Sequence, residues 1–319
     1  MSICAIDVGG TGSRIRIDGG AGRRIEFAGP GIHVAAGGPD IAGLVAALRQ
    51  PVRDALDRLA LRAVDAAAVG QSGLLMLGRR SPDVHAGLAR ITGARVTVVA
   101  SDALTSLVGA VGYRPGAVVA AGTGCIGFGT DLASVWNRVD GWGHVLGDEG
   151  GGSWIGKKGL QAALRAHDGR PDGSPELRRC MLERFGPPDA LTSALYSATD
   201  RAGMLAAFAT DTADAARAGD DAARRIWAEA GVRLARCAAA ALNGGVAPIV
   251  AFTGGITGSS DLYADALAGE LSERRPDADV VDAAGSALDG AAALAERSAE
   301  RPDDPVEHAP YVTTFRRQA

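Results

Sequence analysis

Two glycine-rich turns, each lying between two strand-like runs, constrain the fold of this chain more than any other feature. The first turn, Asp7–Ser13, separates the apolar run Ile3–Ile6 from the strictly alternating stretch Arg14–Asp18. The second, Gly122-Thr123-Gly124, follows the apolar run Val118–Ala121 and is itself followed by a strand-like run. Short apolar runs and apolar/polar alternation are typical of strands, so each motif predicts a strand–turn–strand hairpin. The recurrence predicts two halves of similar architecture.

The remaining sequence predicts an α/β protein. Short β-type runs at Ala66–Gly70 and Val96–Ala100 are separated by sequence of helical period, as in β-α-β units. From about Ser153 to Asn243 the chain is Ala-rich and mostly helical, and the charged tail after Glu300 is expected to be poorly ordered. At 319 residues the chain exceeds what one hydrophobic core usually organises, so two domains are expected.

The composition argues against several classes of partner. A net charge of −4 with 47% hydrophobic residues is typical of a globular protein and lacks the basic surface that nucleic-acid binding requires. The N-terminus has no signal-peptide pattern, and no run reaches the roughly 18 apolar residues that span a bilayer. We therefore expect a cytoplasmic protein without nucleic-acid or membrane partners. The cysteines, which argue by their wide spacing against a zinc site or a disulfide framework, are Cys4, Cys125, Cys180 and Cys237.

Two glycine patterns match nucleotide-binding motifs but lack the required context. Gly151–Lys157 fits the start of a P-loop, but Lys158 stands where a Ser or Thr must bind Mg²⁺, and no buried strand precedes it. Gly122–Gly127 fits G-x-G-x-x-G, but a strand continues where a dinucleotide-binding turn needs a helix. Glycine-tipped hairpins offer another route, because their main-chain N–H groups can approach phosphate oxygens closely. Two such tips facing each other could hold one polyphosphate.

The motifs resemble those of the sugar kinase, actin and heat-shock chaperone superfamily. Asp7–Gly12 resembles its first phosphate motif, Ala121–Gly124 its second, and Thr253–Ile256 its adenosine motif, in order along the chain. Within that superfamily, Gly141–Gly150 and Ser153–Gly156 are similar to the signature of the N-acetylglucosamine kinase and BadF/BadG ATPase family.

This resemblance implies a particular domain organisation. It predicts two ribonuclease-H-like α/β domains, of the actin-like ATPase type, with an interdomain cleft. The N-terminal domain would span residues 1–112, with the segment from about 286 to 319 as a candidate addition. The C-terminal domain would span residues 113–285 and contain a helical insertion. The resemblance also implies a homodimer.

The same resemblance implies an ATP- and Mg²⁺-dependent kinase that phosphorylates a hydroxyl, the 6-OH, of N-acetylglucosamine or glucosamine. Asp102 matches the general base; the alternative from the residues alone is a helix N-cap. Asp7 would place Mg²⁺ through water, the alternative being an Asx-turn. The residues implied in nucleotide binding are Gly9, Gly10, Thr11, Gly12, Gly122, Thr123, Gly124, Gly254 and Gly255.

By the same resemblance, the sugar-binding site would lie mainly around Asp148. The carboxylate of this residue would accept hydrogen bonds from sugar hydroxyls. The family usually has an Asn in the loop after the third strand, where this chain has Ile32 or His33, and Cys125 replaces a common Ser. These departures leave the identity of the amino sugar open. The implied sugar-binding residues are Ile32, His33, Thr123, Cys125, Trp142, Gly143, His144 and Asp148.

Two other functions remain as alternatives. One is an ATPase that activates an enzyme of the 2-hydroxyacyl-CoA dehydratase type, which would need cysteines placed to hold an iron–sulfur cluster between subunits. The other is a non-catalytic sugar-binding sensor.

Overall fold

The computed structural model describes residues 1–10, 12–32, 34–35, 38–72 and 81–317, and they form two compact units. The N-terminal unit consists of residues 1–114 and 283–319, and the C-terminal unit of residues 115–282. Each unit is built on its own mixed sheet with helices packed against it. The predicted α/β class is confirmed.

The sheet of the N-terminal unit has the described strand order β13-β7-β6-β1-β2-β3. Strand β2 runs antiparallel to both β1 and β3, whereas β6 and β7 run parallel to β1. The strands are β1 (Ile3–Val8), β2 (Gly12–Asp18), β3 (Arg24–Pro30), β6 (Ala66–Gln71), β7 (Val96–Ser101) and β13 (Val312–Arg316), with a separate pair β4 (Val34–Ala35) and β5 (Gly38–Pro39). The helices are α1 (Ile41–Arg58), α2 (Ser81–Thr92), α3 (Asp102–Val111) and α10 (Ala287–Glu300).

The register of this sheet determines which residues share its functional edge. Val8, Gln71 and Ser101 are adjacent in the parallel pairings of β1, β6 and β7. Parallel strands end on the same side of a sheet, so the segments that follow these three residues lie along one edge. Ligands of open α/β sheets bind at this edge.

The C-terminal tail differs from the sequence expectation. The prediction of poor order after Glu300 is wrong for β13, which pairs antiparallel with β7 and has Val312 fully buried. His85 of α2 bridges the two strands, with Nδ1 2.8 Å from Thr97 Oγ1 and Nε2 2.9 Å from Thr313 Oγ1. Strand β13 is ordered because it covers the edge of β7, a contact that its own composition does not reveal.

The C-terminal unit repeats the strand order of the first sheet. Its order β10-β9-β8-β11-β12 corresponds to β3-β2-β1-β6-β7, with the same antiparallel and parallel relations. This confirms the two predicted ribonuclease-H-like α/β halves. The strands are β8 (Gly116–Ala121), β9 (Cys125–Thr130), β10 (Trp136–Asp140), β11 (Ile249–Thr253) and β12 (Asp279–Val281).

Helices of the C-terminal unit bury an extensive apolar cluster against this sheet. The Ala-rich region 153–243 is helical as predicted and forms consecutive helices. The helices are α4 (Gly152–His167), α5 (Pro175–Phe185), α6 (Pro188–Ser197), α7 (Arg201–Arg217), α8 (Asp221–Ala241), a 3₁₀ helix (Gly255–Leu262) and α9 (Ala264–Arg274). Among the described helices of the whole chain, none combines the length and apolarity needed to cross a membrane.

Candidate active site

The first glycine-rich turn joins β1 to β2 in the N-terminal unit. The N–H of Gly9 donates to the Gly12 carbonyl at 2.9 Å, and the Gly9 carbonyl accepts the N–H of Ile32 at 3.0 Å. Gly31 packs so closely on the Gly10 carbonyl that no side chain fits there, whereas a Cβ on Gly10 would meet no protein atom within 4 Å. The main chain of the turn is therefore supported by this loop and open at Gly10, as phosphate binding by main-chain N–H groups requires.

Asp7 lies near the end of β1, just before this turn. It is opposite Arg14 in the β1–β2 ladder, and Arg14 Nη2 donates to its Oδ2 at 2.7 Å. One oxygen of the carboxylate is thus engaged. No group of three or more His, Cys, Asp or Glu suited to holding a metal occurs in the described ranges. A single carboxylate suits a Mg²⁺ ion that keeps most of its water ligands.

Asp102 is the first residue of α3, at the carboxyl end of β7. Ser101 is the N-cap, since its Oγ accepts the N–H of Leu104 at 3.2 Å, while Asp102 Oδ1 accepts the N–H of Ala103 at 2.9 Å. Ser101 therefore fills the capping role that the sequence left open for Asp102. The aligned ends of β1, β6 and β7 place Asp102 at the same sheet edge as the first turn, with one strand between them.

In the loop after β3, the described residue Ile32 contributes its main chain to the first turn. Ile32 is only 3% exposed and belongs to the apolar core of the N-terminal unit. Its N–H supports the first turn, but its buried side chain does not favour a direct sugar contact. His33 and Thr11, also predicted to bind ligands, lie outside the described residues.

The second turn joins β8 to β9 and is attached to the start of α4. Gly152 N–H donates to the Gly122 carbonyl and Ser153 N–H to the Thr123 carbonyl, each at 2.8 Å. In a trans peptide the N–H points opposite to the C=O. Because the turn's carbonyls face α4, the N–H groups of Thr123 and Gly124 point away from it. The turn thus presents donors rather than acceptors, which suits an anion.

The adenosine motif lies beside this turn. Gly254 has φ of 97° and packs against the Ala121 carbonyl so closely that only glycine fits. Gly255 begins the 3₁₀ helix. A cavity of about 280 Å³ adjoins both motifs and is lined by Gly122, Thr123, Gly152, Ala206, Ala209, Thr210, Ala213, Arg217, Trp227, Gly255, Ile256 and Ser259.

Asp148 lies directly against the second turn. The main-chain N–H groups of Cys125 and Gly143 lie near its carboxylate. Burial raises the pKa of Asp148 and the charge of Asp140 adds to that effect, while the two N–H groups oppose it. A Cβ on Gly124 would lie 2.7 Å from Asp148 Oδ2, so the turn and the carboxylate are in close contact.

The other predicted sugar-binding residues surround Asp148 in different environments. Trp142 is 62% exposed, and the guanidinium of Arg138 lies 4.2 Å from its ring centre. The carbonyl of His144 accepts a hydrogen bond from Lys157 Nζ at 3.0 Å. Cys125 is buried, and its hydrogen bond with Cys237, together with burial, raises its thiol pKa. The exposed ring of Trp142 is therefore accessible to a ligand, whereas the buried side chain of Cys125 is not.

Sequence reasoning missed two groups of residues near these motifs. Ala206, Ala209 and Ala213 give α7 a face of small side chains along the cavity, and Arg217 ends that face. Helical spacing of small residues was visible in the sequence, but nothing indicated that this face borders the second turn. The carboxylate of Asp140 accepts the N–H groups of Asp148 and Glu149. This role was missed because these partners lie eight and nine residues away in the sequence.

Comparison with known proteins decides the family. Residues 6–295 match the model of the BadF/BadG/BcrA/BcrD ATPase family. The chain belongs to this family. Membership in the BadF/BadG/BcrA/BcrD ATPases implies the use of ATP, and it confirms the resemblance found in the motifs.

The relatives of this BadF/BadG-type chain include sugar kinases. The N-acetylmuramic acid/N-acetylglucosamine kinase of Clostridium acetobutylicum is 42% identical over 73 residues, which cover 23% of this chain and 24% of the relative. The N-acetyl-D-glucosamine kinase of Dictyostelium discoideum is 27% identical over 211 residues, which cover 62% of this chain and 65% of the relative. The chain therefore aligns with less than two thirds of either curated relative.

A solved structure agrees over a longer span. A proposed N-acetylglucosamine kinase from Chromobacterium violaceum superposes with a TM-score of 0.72 and 28% sequence identity. The match covers 91% of this chain and 97% of the other.

Proposed function

We propose that the chain is an ATP-dependent sugar phosphotransferase that transfers the γ-phosphate of ATP to the 6-OH of N-acetylglucosamine or glucosamine. One observation carries the proposal. The second turn borders a cavity through Gly122 and Thr123 and contacts Asp148 through Gly124. A turn that we propose to bind phosphate thus connects a nucleoside-sized cavity to a carboxylate that can accept hydrogen bonds from sugar hydroxyls.

In this proposal the nucleotide is held by main chain. The N–H groups of Thr123 and Gly124 would bind phosphate oxygens, and the open side of Gly10 in the first turn would admit others. The small face of α7 and the glycines of the adenosine motif would receive adenosine.

Asp102 is proposed as the general base that accepts the proton of the attacking hydroxyl. Its placement past β7, with the N-cap supplied by Ser101, supports a role other than capping. Mg²⁺, when bound, would neutralise charge on the phosphates. Asp7 would hold it through water, because one of its oxygens is engaged by Arg14.

The names of the relatives favour an amino sugar, since both curated kinases act on N-acetylglucosamine and one also on N-acetylmuramic acid. The activator alternative is less favoured by the cysteines. Burial raises the pKa of Cys4 to about 12, which opposes the thiolate form that a cluster ligand needs. The homodimer and the cytoplasmic location remain predictions.

The proposal is tested by measuring ADP release with ATP, Mg²⁺ and a panel of hexoses, hexosamines, N-acetylhexosamines and muramic acids. We expect N-acetylglucosamine or glucosamine to raise turnover well above the sugar-free rate, with the 6-phosphate as product by NMR. A rate that no sugar raises would contradict kinase activity. A product phosphorylated at another hydroxyl would contradict only the 6-OH assignment.

A further inference from the structure

The segment of residues 140–151 contains Asp148. The carboxylate at its first residue, Asp140, folds the segment back on itself by accepting hydrogen bonds from residues 148 and 149. We infer that Asp140 is a positioning residue that fixes Asp148 against the second glycine-rich turn. This inference rests on the proposed sugar kinase function and assigns a role to a residue outside the predicted site. Asp140 is placed to act through the main chain of Asp148 rather than on a sugar directly.

The hydrogen bonds of Asp140 are the main evidence. Its Oδ1 accepts the N–H of Asp148 and its Oδ2 the N–H of Glu149, both at 2.8 Å. One carboxylate therefore engages two successive amides across eight and nine residues of chain. Hydrogen bonds to a carboxylate are stronger than those to a neutral acceptor. The two bonds to Asp140 therefore fix the backbone orientation at Asp148.

The backbone of the segment adopts conformations that need support from surrounding contacts. Asp140 and Asp148 both have φ of 58°, in the left-handed region that non-glycine residues rarely adopt. Such conformations persist where surrounding contacts enforce them. Gly147 also packs directly on Asp140 Oδ1, so closely that no Cβ fits.

The segment is in turn attached to the second turn. A Cβ on Gly124 would lie 2.7 Å from Asp148 Oδ2, and a Cβ on Gly151 would lie 2.6 Å from the carbonyl carbon of Gly124, so both residues of the segment pack on the second turn. The N–H of Gly152, just beyond the segment, donates to Gly122. A displacement of the segment would therefore move Asp148 relative to the main chain of the second turn. In the proposed kinase, this movement would weaken binding of the sugar acceptor.

Two cations support the same segment through its carbonyls. Arg138 donates to the carbonyls of Asp140 and Gly141, and Lys157 donates to that of His144. These bonds support residues 140–144 of the segment. The amides of the Asp148–Glu149 corner are instead engaged by the Asp140 carboxylate.

The number of acceptor oxygens provides a graded test. Asp140→Asn keeps one acceptor oxygen and replaces the other with a donor, whereas Asp140→Ala removes both. The matched control is Asp131→Asn at the opposite end of the β9–β10 hairpin. Asp131 Oδ1 accepts the N–H groups of Ala133, Ser134 and Val135 at 2.8–2.9 Å, and these partners all lie outside the segment.

The first measurement is the KM for the amino sugar, with kcat, the KM for ATP and Tm in parallel. We expect the sugar KM to rise about fivefold in Asp140→Asn and more than about tenfold in Asp140→Ala, the size of losing charge-assisted hydrogen bonds. Asp131→Asn should lower Tm but leave the sugar KM unchanged. Equal Tm losses in the Asp140 and Asp131 variants without any change in sugar KM would overturn the inference.

The second measurement, hydrogen–deuterium exchange of the ligand-free protein, does not depend on sugar turnover. We expect the amides of Asp148 and Glu149 to exchange faster in Asp140→Asn than in the unsubstituted protein and in Asp131→Asn. Unchanged exchange would overturn the positioning role. If the unsubstituted protein phosphorylates no sugar while exchange accelerates as expected, the proposed function fails and the role of Asp140 in holding Asp148 stands.

Discussion

The two glycine-rich turns occupy equivalent positions in two sheets of the same strand order, but different structures support them. The first turn is backed by the loop at Gly31 and Ile32, whereas the second is backed by the start of α4. Before the first turn an acid and a base, Asp7 and Arg14, are paired across the hairpin, and the corresponding pairing before the second turn, Ala120 with Ile126, is apolar.

Under the proposed function, this difference gives the two related halves different roles. The sheet edge of the N-terminal unit carries charged groups, Asp7 and Asp102, suited to metal placement and proton transfer. The C-terminal unit carries the cavity and the segment of Asp148, suited to holding nucleoside and sugar. A repeated strand order thus supplies a common position for the turns, and the elements added around each turn determine its chemistry.

The largest expected effect tests the chemical role of the N-terminal unit. Asp102→Asn should lower kcat about 1,000-fold with little change in either KM, because an amide cannot accept the proton of the sugar hydroxyl. Asp83→Asn is the control, since Asp83 is also an acid in the first turn of a helix. A variant at Asp102 that keeps its rate would remove Asp102 from the mechanism.

A smaller effect tests whether both turns bind phosphate. A Cβ added at Gly10 or at Gly122 would meet no protein atom within 4 Å, so alanine should fit at both positions in the free protein. We expect Gly10→Ala and Gly122→Ala to raise the KM for ATP about tenfold, because the methyl group occupies space that phosphate oxygens need.

The control for the glycine pair is Gly269→Ala in α9, which also has open space around it. This variant should leave the KM for ATP unchanged and increase stability, because alanine is the better helix former. An effect at Gly122 without one at Gly10 would limit phosphate binding to the C-terminal unit.

The cavity of the C-terminal unit provides the next test. Ala209→Phe should fill it and weaken ADP binding about tenfold by calorimetry, with less effect on the sugar KM. Ala207→Phe is the control because Ala207 is an exposed residue of the same helix. Unchanged ADP affinity in Ala209→Phe would place adenosine elsewhere.

The last prediction concerns pH and the N-terminal unit alone. Burial lowers the pKa of His85 to about 4 from its usual 6.5. Between these values the unfolded chain binds a proton that the folded chain excludes, so stability should fall as pH decreases from 6.5 to 4, by at most about 3 kcal/mol.

Denaturant unfolding at pH 7 and pH 5 measures this loss. His85→Asn should reduce the difference between the two pH values, whereas His167→Asn, at an exposed site on α4, should not. An identical pH dependence in the unsubstituted protein and His85→Asn would assign the loss to other groups.

The sequence predicted those parts of the site that depend on local pattern. The hairpins, their glycine tips and the strand before Asp102 follow from alternation and turn residues close together in the chain. The cavity wall could not be predicted, because Ala209 and Gly122 line the same cavity although about 90 residues of chain separate them. The tail strand β13 was missed because it is stabilised by pairing with β7 and by His85, and not by its own composition.

By itself the sequence determined the α/β class, the two glycine-tipped hairpins and the order of motifs that identifies the family, because periodicity and turn chemistry act over a few residues. The tertiary structure decided which side of each turn is open, which helix forms the wall of the cavity, and that Asp140 holds the corner at Asp148. These features depend on close packing and directed hydrogen bonds between distant segments, which no local pattern encodes.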